Sequence, residues 1–249
     1  MGSCCACQNK LTAEGLLYRK VRSSERTKIL SLRDMNLDCI PDQVKSLEVF
    51  TLDLTNNKIQ ELRNLNSSIK RLSVEKNSLE NLLLRDLPFL QSLNASHNQI
   101  KSVEIYLPSL RSLSLSSNRI ALVPFNFQNS KNLEFLDISF NKLRALPPFL
   151  CEFPYLEKAN FSNNQITELD INWEPTKLTM LDLSDNCVSS LPEDLLSNTQ
   201  INHLKLVNNK LSEKDLLASK GVEDYLYRRK ARIDKGLHQN IVNNQDLLS

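Results

Sequence analysis

The sequence predicts an α/β solenoid: a horseshoe of about nine stacked repeats, with a parallel sheet on its concave side and a short helical cap at each end. Three observations lead there. First, "LDLTNNKI" (52–59) returns as "LSLSSNRI" (113–120), "LDISFNKL" (136–143) and "LDLSDNCV" (181–188), one pattern L-x-L-x-x-N-x-L. Second, its asparagine recurs at Asn57, Asn77, Asn98, Asn118, Asn141, Asn164, Asn186 and Asn209, at spacings of 20, 21, 20, 23, 23, 22 and 23. Third, an earlier copy, "LSLRDMNL" (30–37), carries Met35 in that place, as befits an atypical terminal repeat.

The repeats occupy residues 28–212. Each L-x-L is a short strand with alternate side chains inward, and one repeat cannot bury its leucines without a neighbour. The asparagine stands where the strand turns away. Its amide has donors and an acceptor, so the eight form a structural ladder that satisfies backbone groups. Proline follows the last apolar position in "IPDQV" (40–44), "VPFNF" (123–127), "LPPFL" (146–150) and "LPEDLL" (191–196), and starts the outer segment as a turn or short helix. The shorter repeats around 60–110 have less chain and are expected to return by extended or 3₁₀ segments. Ala95 and Ala159 thin the inner spine, with Phe161 placed to refill part of it.

Both solenoid ends need caps. Residues 12–27 predict a helix with Thr12 as N-cap and Leu16, Leu17 and Val21 on one face. Residues 213–237 predict a second helical cap, started by Ser212 and interrupted at Gly221, with Leu216, Leu217, Val222, Tyr225 and Leu226 covering the last repeat. Its basic cluster, Arg228, Arg229, Lys230, Arg232 and Lys235, reads as a solvated helix end that complements the helix dipole, with a weak membrane or acidic-partner contact as the alternative. Residues 238–249 read as a disordered polar tail, and residues 1–11 as a separate targeting segment.

Little in this chain points to catalysis. Its four glycines argue against phosphate-binding loops, and its three histidines, His97, His203 and His238, lack metal-motif spacing. No nucleophile elbow, Walker A or zinc-protease motif occurs. No catalytic residue, metal, cofactor or small-molecule substrate is expected. Residues 29–212 hold 18 basic and 21 acidic side chains, so the electrostatic footprint of a nucleic-acid binder is absent. Cys39, Cys151 and Cys187 are scattered singly and read as small buried apolar residues. The apolar stretch of a secretory signal is not evident, so the sequons at Asn66, Asn94 and Asn160 read as accidental.

What remains is binding. The concave column runs Ser31, Asp53, Ser73, Asn94, Ser114, Asp137, Asn160, Asp182, Lys205. Around Ser112 and Ser116 the face is nearly featureless. Repeats six to eight are richer, and Phe135, Asp137, Phe140, Asn160, Met180, Asp182 and Asp185 are the expected contact patch for a protein partner.

The pattern "LxLxxNxL…LP" resembles the intracellular class of leucine-rich-repeat proteins. The ends, Met1-Gly2, "RTKILSLRDMNLDCIP" and "GVEDYLYRRKARIDK", are similar to those of a family of small members with nine or so repeats. That resemblance implies a non-enzymatic, membrane-associated interaction protein with no catalytic residues. The extra cysteines of this chain depart from it.

The opening "MGSCCACQNK" admits several readings. C-C-x-C offers a metal three ligands with no nearby histidine, short of a closed zinc site. A disulfide or an unmodified disordered start are alternatives. Lipidation fits best: Gly2 offers an α-amine for N-myristoylation, although Ala6 stands where the signal usually has Ser or Thr. One myristoyl chain binds membranes only marginally, so Cys4, Cys5 and Cys7 are expected to carry S-palmitoyl chains as the second signal. Lys10, Arg19, Lys20 and Arg22 would face anionic lipid. The expected location is the cytoplasmic face of a membrane, with a cytosolic pool possible. The function expected is an anchored protein-protein adaptor; the alternative is a soluble regulatory subunit of a phosphatase or small GTPase pathway.

Overall fold

A computed structural model describes residues 12–123 and 130–245. The chain opens with helix α1 (Thr12–Thr27). Strands β1 (Ile29–Ser31), β2 (Thr51–Asp53) and β3 (Arg71–Ser73) follow, then β4 (Asn81–Leu84), β5 (Ser92–Asn94), β6 (Ser102–Ile105) and β7 (Ser112–Ser114). After them come β8 (Phe135–Asp137), β9 (Lys158–Asn160), β10 (Met180–Asp182), α2 (Glu193–Asn198), β11 (His203–Lys205), α3 (Glu213–Leu217) and α4 (Val222–Gln245).

Nine of the strands form one parallel sheet in the order β1-β2-β3-β5-β7-β8-β9-β10-β11. Each is the x-L-x triplet of one repeat, with Ala159 in place of leucine in β9. From β1 to β10 its central side chain is buried, from Leu30 through Leu136 to Ala159 and Leu181. The pairing is in register throughout: Leu30 meets Leu52, and Leu181 meets Leu204. The solenoid core lies between this sheet and the outer segments. Phe161 is fully buried beside Ala159, and Trp173 is buried with its indole N–H donating to the Leu169 carbonyl at 3.0 Å.

The outer side follows repeat length. Pro41 precedes a 3₁₀ turn (Asp42–Ser46), the 146–150 segment leads into another (Leu150–Glu152), and Pro192 sits at the N-cap of α2. The short repeats differ: β4 and β6 pair in parallel as a separate two-stranded sheet on the outside. Fewer residues per turn leave too little chain for a helical return, so the backbone crosses extended. Most of the "VPFNF" segment lies outside the described residues.

The eight asparagines do what the turn requires. Asn141 Nδ2 donates to the carbonyls of Leu115 and Ile138, at 3.0 and 3.2 Å, while its Oδ1 accepts the Ile120 N–H at 2.9 Å. The same three-way bond recurs from Asn57 to Asn209. The residue before each asparagine, Asn56 through Asn208, is left-handed, with φ between +53° and +57°, and so is Asp34 before Met35, at +60°.

The caps depart from expectation in instructive ways. Helix α1 already includes Thr12, and it presents Leu17, Lys20, Val21 and Ser24 to the first repeat, leaving Leu16 exposed. Lys20 Nζ donates to the Ser31 carbonyl at 2.7 Å. At the other end the cap is two helices. Ser212 caps α3, its Oγ accepting the Asp215 N–H at 3.2 Å, and Gly221 (φ +78°) separates α3 from α4. Val222 and Tyr225 are buried, whereas Leu217 and Leu226 stay exposed. Arg228 is not a solvated end: it donates to the Ile201 carbonyl at 3.1 Å and the Leu196 carbonyl at 2.7 Å, and Arg232 donates to the Asn202 carbonyl at 3.2 Å. The Asn202 carbonyl stands where Thr179 accepts amides of the next repeat, and in the last repeat a guanidinium takes their place. Helix α4 runs to Gln245, beyond residue 237 and into the stretch read as a tail.

Cys151 and Cys187 are half-buried free thiols, and burial raises the Cys151 pKa. Cys39 is disulfide-bonded, so the reading as a plain packing thiol fails there.

Candidate protein-binding surface

The concave face is built from columns, because in-register parallel strands stack equivalent positions about 4.8 Å apart. The predicted column is present link by link, from the Ser31–Asp53 pair through Asp137–Asn160 to Asp182–Lys205.

Much of its polarity is committed to the protein itself. The carboxylate or amide Oδ1 of Asp53, Asn94, Asp137, Asn160 and Asp182 accepts the backbone N–H two residues later, at 2.9 to 3.1 Å. Two of the column serines pair their hydroxyls with a neighbouring repeat: Ser73 with Thr55 at 2.9 Å and Ser114 with Ser96 at 2.7 Å. Asx turns and hydroxyl pairs thus hold the strand ends in shape.

The structure places the seven candidates on three adjacent strands, β8, β9 and β10, and their following turns. They fall into three columns: Phe135, Lys158, Met180; Asp137, Asn160, Asp182; and Phe140, Asn163, Asp185. Lys158 and Asn163, the middle members of the outer two columns, were not singled out from sequence. Strand pairing sets Lys158 opposite Phe135, and Asn163 takes the turn position equivalent to Phe140.

The candidates are unequal. Asp182 is only 7% exposed and binds Lys205 Nζ at 2.9 Å. Burial alone would raise its pKa, but the hydrogen bonds from Lys205 and Ser184 bring it below the ordinary aspartate value. It is a structural ion pair, not a free contact. Asp185 is exposed, with Oδ1 accepting from Asn208 Nδ2 at 2.7 Å. Phe135, Asp137, Asn160 and Met180 are half-buried. Phe140 is 56% exposed at φ +53°, where the equivalent positions elsewhere hold Asp, Asn, Ser, His or Lys. A bulky side chain in that conformation is a backbone outlier of the kind found at functional sites.

Among the described residues no group of three His, Cys, Asp or Glu side chains could hold a metal, and no helix is long and apolar enough to cross a membrane. The candidate acylation residues Gly2, Cys4, Cys5 and Cys7 lie outside the described residues.

Residues 108–151 match the family model described as leucine rich repeats, two copies. Human oligodendrocyte-myelin glycoprotein is 34% identical over 126 residues, 49% of this chain and 28% of that protein. Bovine osteomodulin is 28% identical over 177 residues, 69% of this chain and 41% of that protein. Adenylate cyclase of Schizosaccharomyces pombe matches 72% of the chain at 26% identity, but over 12% of the cyclase. The chain thus spans less than half the length of these relatives. Among solved structures, an internalin from Listeria monocytogenes superposes with a TM-score of 0.64 at 24% identity, covering 81% of this chain and 61% of the other. The leucine-rich-repeat domain of APL1 gives 0.63 at 26% identity, covering 72% and 48%.

Proposed function

We propose that this chain, a leucine-rich-repeat protein in fold and repeat sequence, is a non-enzymatic adaptor that holds a partner protein against the concave face of β8–β10. Phe140 carries the reading: a solvent-exposed aromatic ring kept in a left-handed conformation at the edge of the sheet. Aromatic side chains are favoured anchors of protein interfaces. The half-buried Phe135 and Met180, the Lys158 between them, and the exposed Asp185 add apolar surface and charge of both signs. The strands are short, paired on both sides and pinned by the asparagine ladder, so the patch is preorganised and loses little freedom on binding. A similar repeat protein, APL1C, has been solved in complex with LRIM1.

The adaptor is anchored at the cytoplasmic face of a membrane through N-myristoylated Gly2 and S-palmitoylation of those among Cys4, Cys5 and Cys7 that remain free thiols. The two-signal arithmetic of acyl anchoring supports this: one chain binds reversibly and a second makes the association stable. The similarity of the chain ends to leucine-rich-repeat-containing protein 57, an intracellular and membrane-associated member, points the same way.

Proximity labelling in cells, with the tag at the C-terminus, tests both parts. A Phe140→Ser, Lys158→Glu double variant is expected to lose the neighbours labelled by the wild type while remaining at the membrane. Gly2→Ala is expected to move the chain from the membrane pellet to the supernatant. Neighbours retained by the double variant would overturn the concave site. Unchanged pelleting of Gly2→Ala would overturn the myristoyl anchor and leave the soluble regulatory-subunit reading.

A further inference from the structure

The last repeat is covered differently from the others. Every earlier strand of the main sheet buries its central residue, whereas all three residues of β11 are half-buried. Leu204 and Leu206 follow the register of Leu181 and Leu183, which are fully buried, yet remain partly open. β11 is the edge of the sheet.

The terminal helices close this edge at one end. Arg228 and Arg232 cover the carbonyls of Ile201 and Asn202, and Tyr225 Oη approaches the Leu204 carbonyl at 3.5 Å. Beyond them a cleft of about 460 Å³ remains between β11, the 207–212 loop, α3 and α4. Its apolar lining includes Leu204, Leu206, Leu211, Leu216 and Tyr225, with exposed Val207 on its wall. Arg229 and Arg232 line it too, with Glu213 as the acidic residue among the lining groups. Arg229 is exposed and has no carboxylate partner among the described residues. Lys205 is already paired with Asp182. His203 titrates below its ordinary value, through burial and then the charges of Arg232 and Lys205, so at neutral pH it adds no cation.

We propose that this cleft is a second docking site, which receives an acidic peptide segment of a partner protein. Apolar side chains of the segment seat on Leu204, Leu206 and Leu216, and flanking carboxylates pair with Arg229 and Arg232. The volume falls in the range of pockets that enclose a ligand, and the apolar floor with a few convergent polar groups is what such sites require. Guanidiniums bind carboxylates through two parallel hydrogen bonds, which gives the charged rim its selectivity. This inference is independent of the concave site and of acylation, because it uses neither β8–β10 nor the N-terminal residues.

Display selection of random nine-residue peptides on the full chain tests it, followed by fluorescence anisotropy of a labelled selected peptide. The expected consensus places Asp or Glu beside Leu, Ile, Val or Phe. Binding is expected to weaken about tenfold or more in Arg229→Glu and in Val207→Glu, surface changes whose thermal melts should match the wild type, and to weaken with added salt. Phe140→Ser should bind the peptide unchanged; loss of binding there would place the peptide on the concave face and end the cleft proposal without harming the concave one. The cleft proposal is also overturned if no peptide is enriched, if selected peptides are basic, or if they bind both cleft variants as tightly as wild type. Sedimentation showing a dimer that Arg229→Glu dissolves would assign the cleft to a second copy of the chain instead.

Discussion

Asp182 and Lys205 face each other at matched register on β10 and β11, with Lys205 Nζ 2.9 Å from Asp182 Oδ2, while Asp182 Oδ1 takes the Ser184 N–H at 3.0 Å. This pair joins the edge strand to the rest of the sheet. The aspartate is held below its ordinary pKa of 3.8 in the fold. Its contribution to stability is therefore fully present above that value and is lost as pH falls through the lower, folded one. Asp182→Asn should cost about 1.5–3 kcal/mol near neutral pH, the usual range for hydrogen bonds to a charged group. Thermal melts from about pH 6 down to about pH 3 check the sign: the wild type should lose more stability than Asp182→Asn below about pH 4. Parallel melting curves would show that the pair adds nothing.

The asparagine ladder makes a graded prediction. Asn141→Ala would leave the Ile120 N–H without its acceptor, and would leave the Leu115 and Ile138 carbonyls with only the amides of Asn118 and Asn164. An orphaned buried group costs about 1–3 kcal/mol and each lost hydrogen bond about 0.5–1.5 kcal/mol, so a loss of about 2 kcal/mol or more is expected. Asn209→Ala removes the same bonds at the end of the ladder, where Asn209 is only half-buried and water can replace them. Urea titration of both variants should rank Asn141→Ala clearly below Asn209→Ala. Equal losses would mean that burial does not set the worth of the ladder.

Much of the fold was legible because it is periodic. One eight-residue pattern, read nine times, places Leu30, Leu136 and Leu181 in the core, Asn57 to Asn209 at the turn, and Ser31 to Lys205 in one concave column. What periodicity cannot carry is which partner a given side chain finds across repeats. Asp182 and Asp185 look alike in sequence, yet the first is buried against Lys205 and the second stands in solvent. Arg228 looks like any basic residue at a helix end until α4 lies over the Leu196 and Ile201 carbonyls. Cys39 has no local mark of a disulfide, since the partner in a disulfide is set by the fold and not by spacing. The outer strands β4 and β6 came close to being readable, because the shortened repeats announce an extended return without announcing that the two will pair.

Gly221 ties the C-terminal cap to the last helix of the repeats. A Cβ built there would stand 2.7 Å from the Ser197 backbone nitrogen and 2.9 Å from the Leu196 carbonyl carbon, and φ is +78°. Both obstacles are backbone, so no side chain can yield. Gly221→Ala should destabilise the chain by about 2 kcal/mol or more, the conformational term adding to the clash. Hydrogen exchange should show where: amides of α2 and the first turns of α4 lose protection while those of β2 and β3 keep theirs. Uniform loss over the solenoid would contradict a local role for this contact.

Phe140 sets stability against binding. Its φ of +53° is one that Asn56, Asn163 and Asn208 adopt at the equivalent turns, and asparagine tolerates it better than an aromatic residue. A left-handed conformation costs an ordinary side chain about 1–2 kcal/mol, part of which asparagine recovers by local hydrogen bonding. With the ring more than half exposed, little packing is lost on its removal. Phe140→Asn is therefore expected to raise stability by about 0.5–1 kcal/mol, a rise of about 1–4 °C for a chain of this length, while reducing partner capture by the concave face. Thermal melts and proximity labelling on the same variant separate the two effects. A lower melting temperature would show that the ring is held for packing, and the aromatic residue would lose its standing as the mark of a binding site.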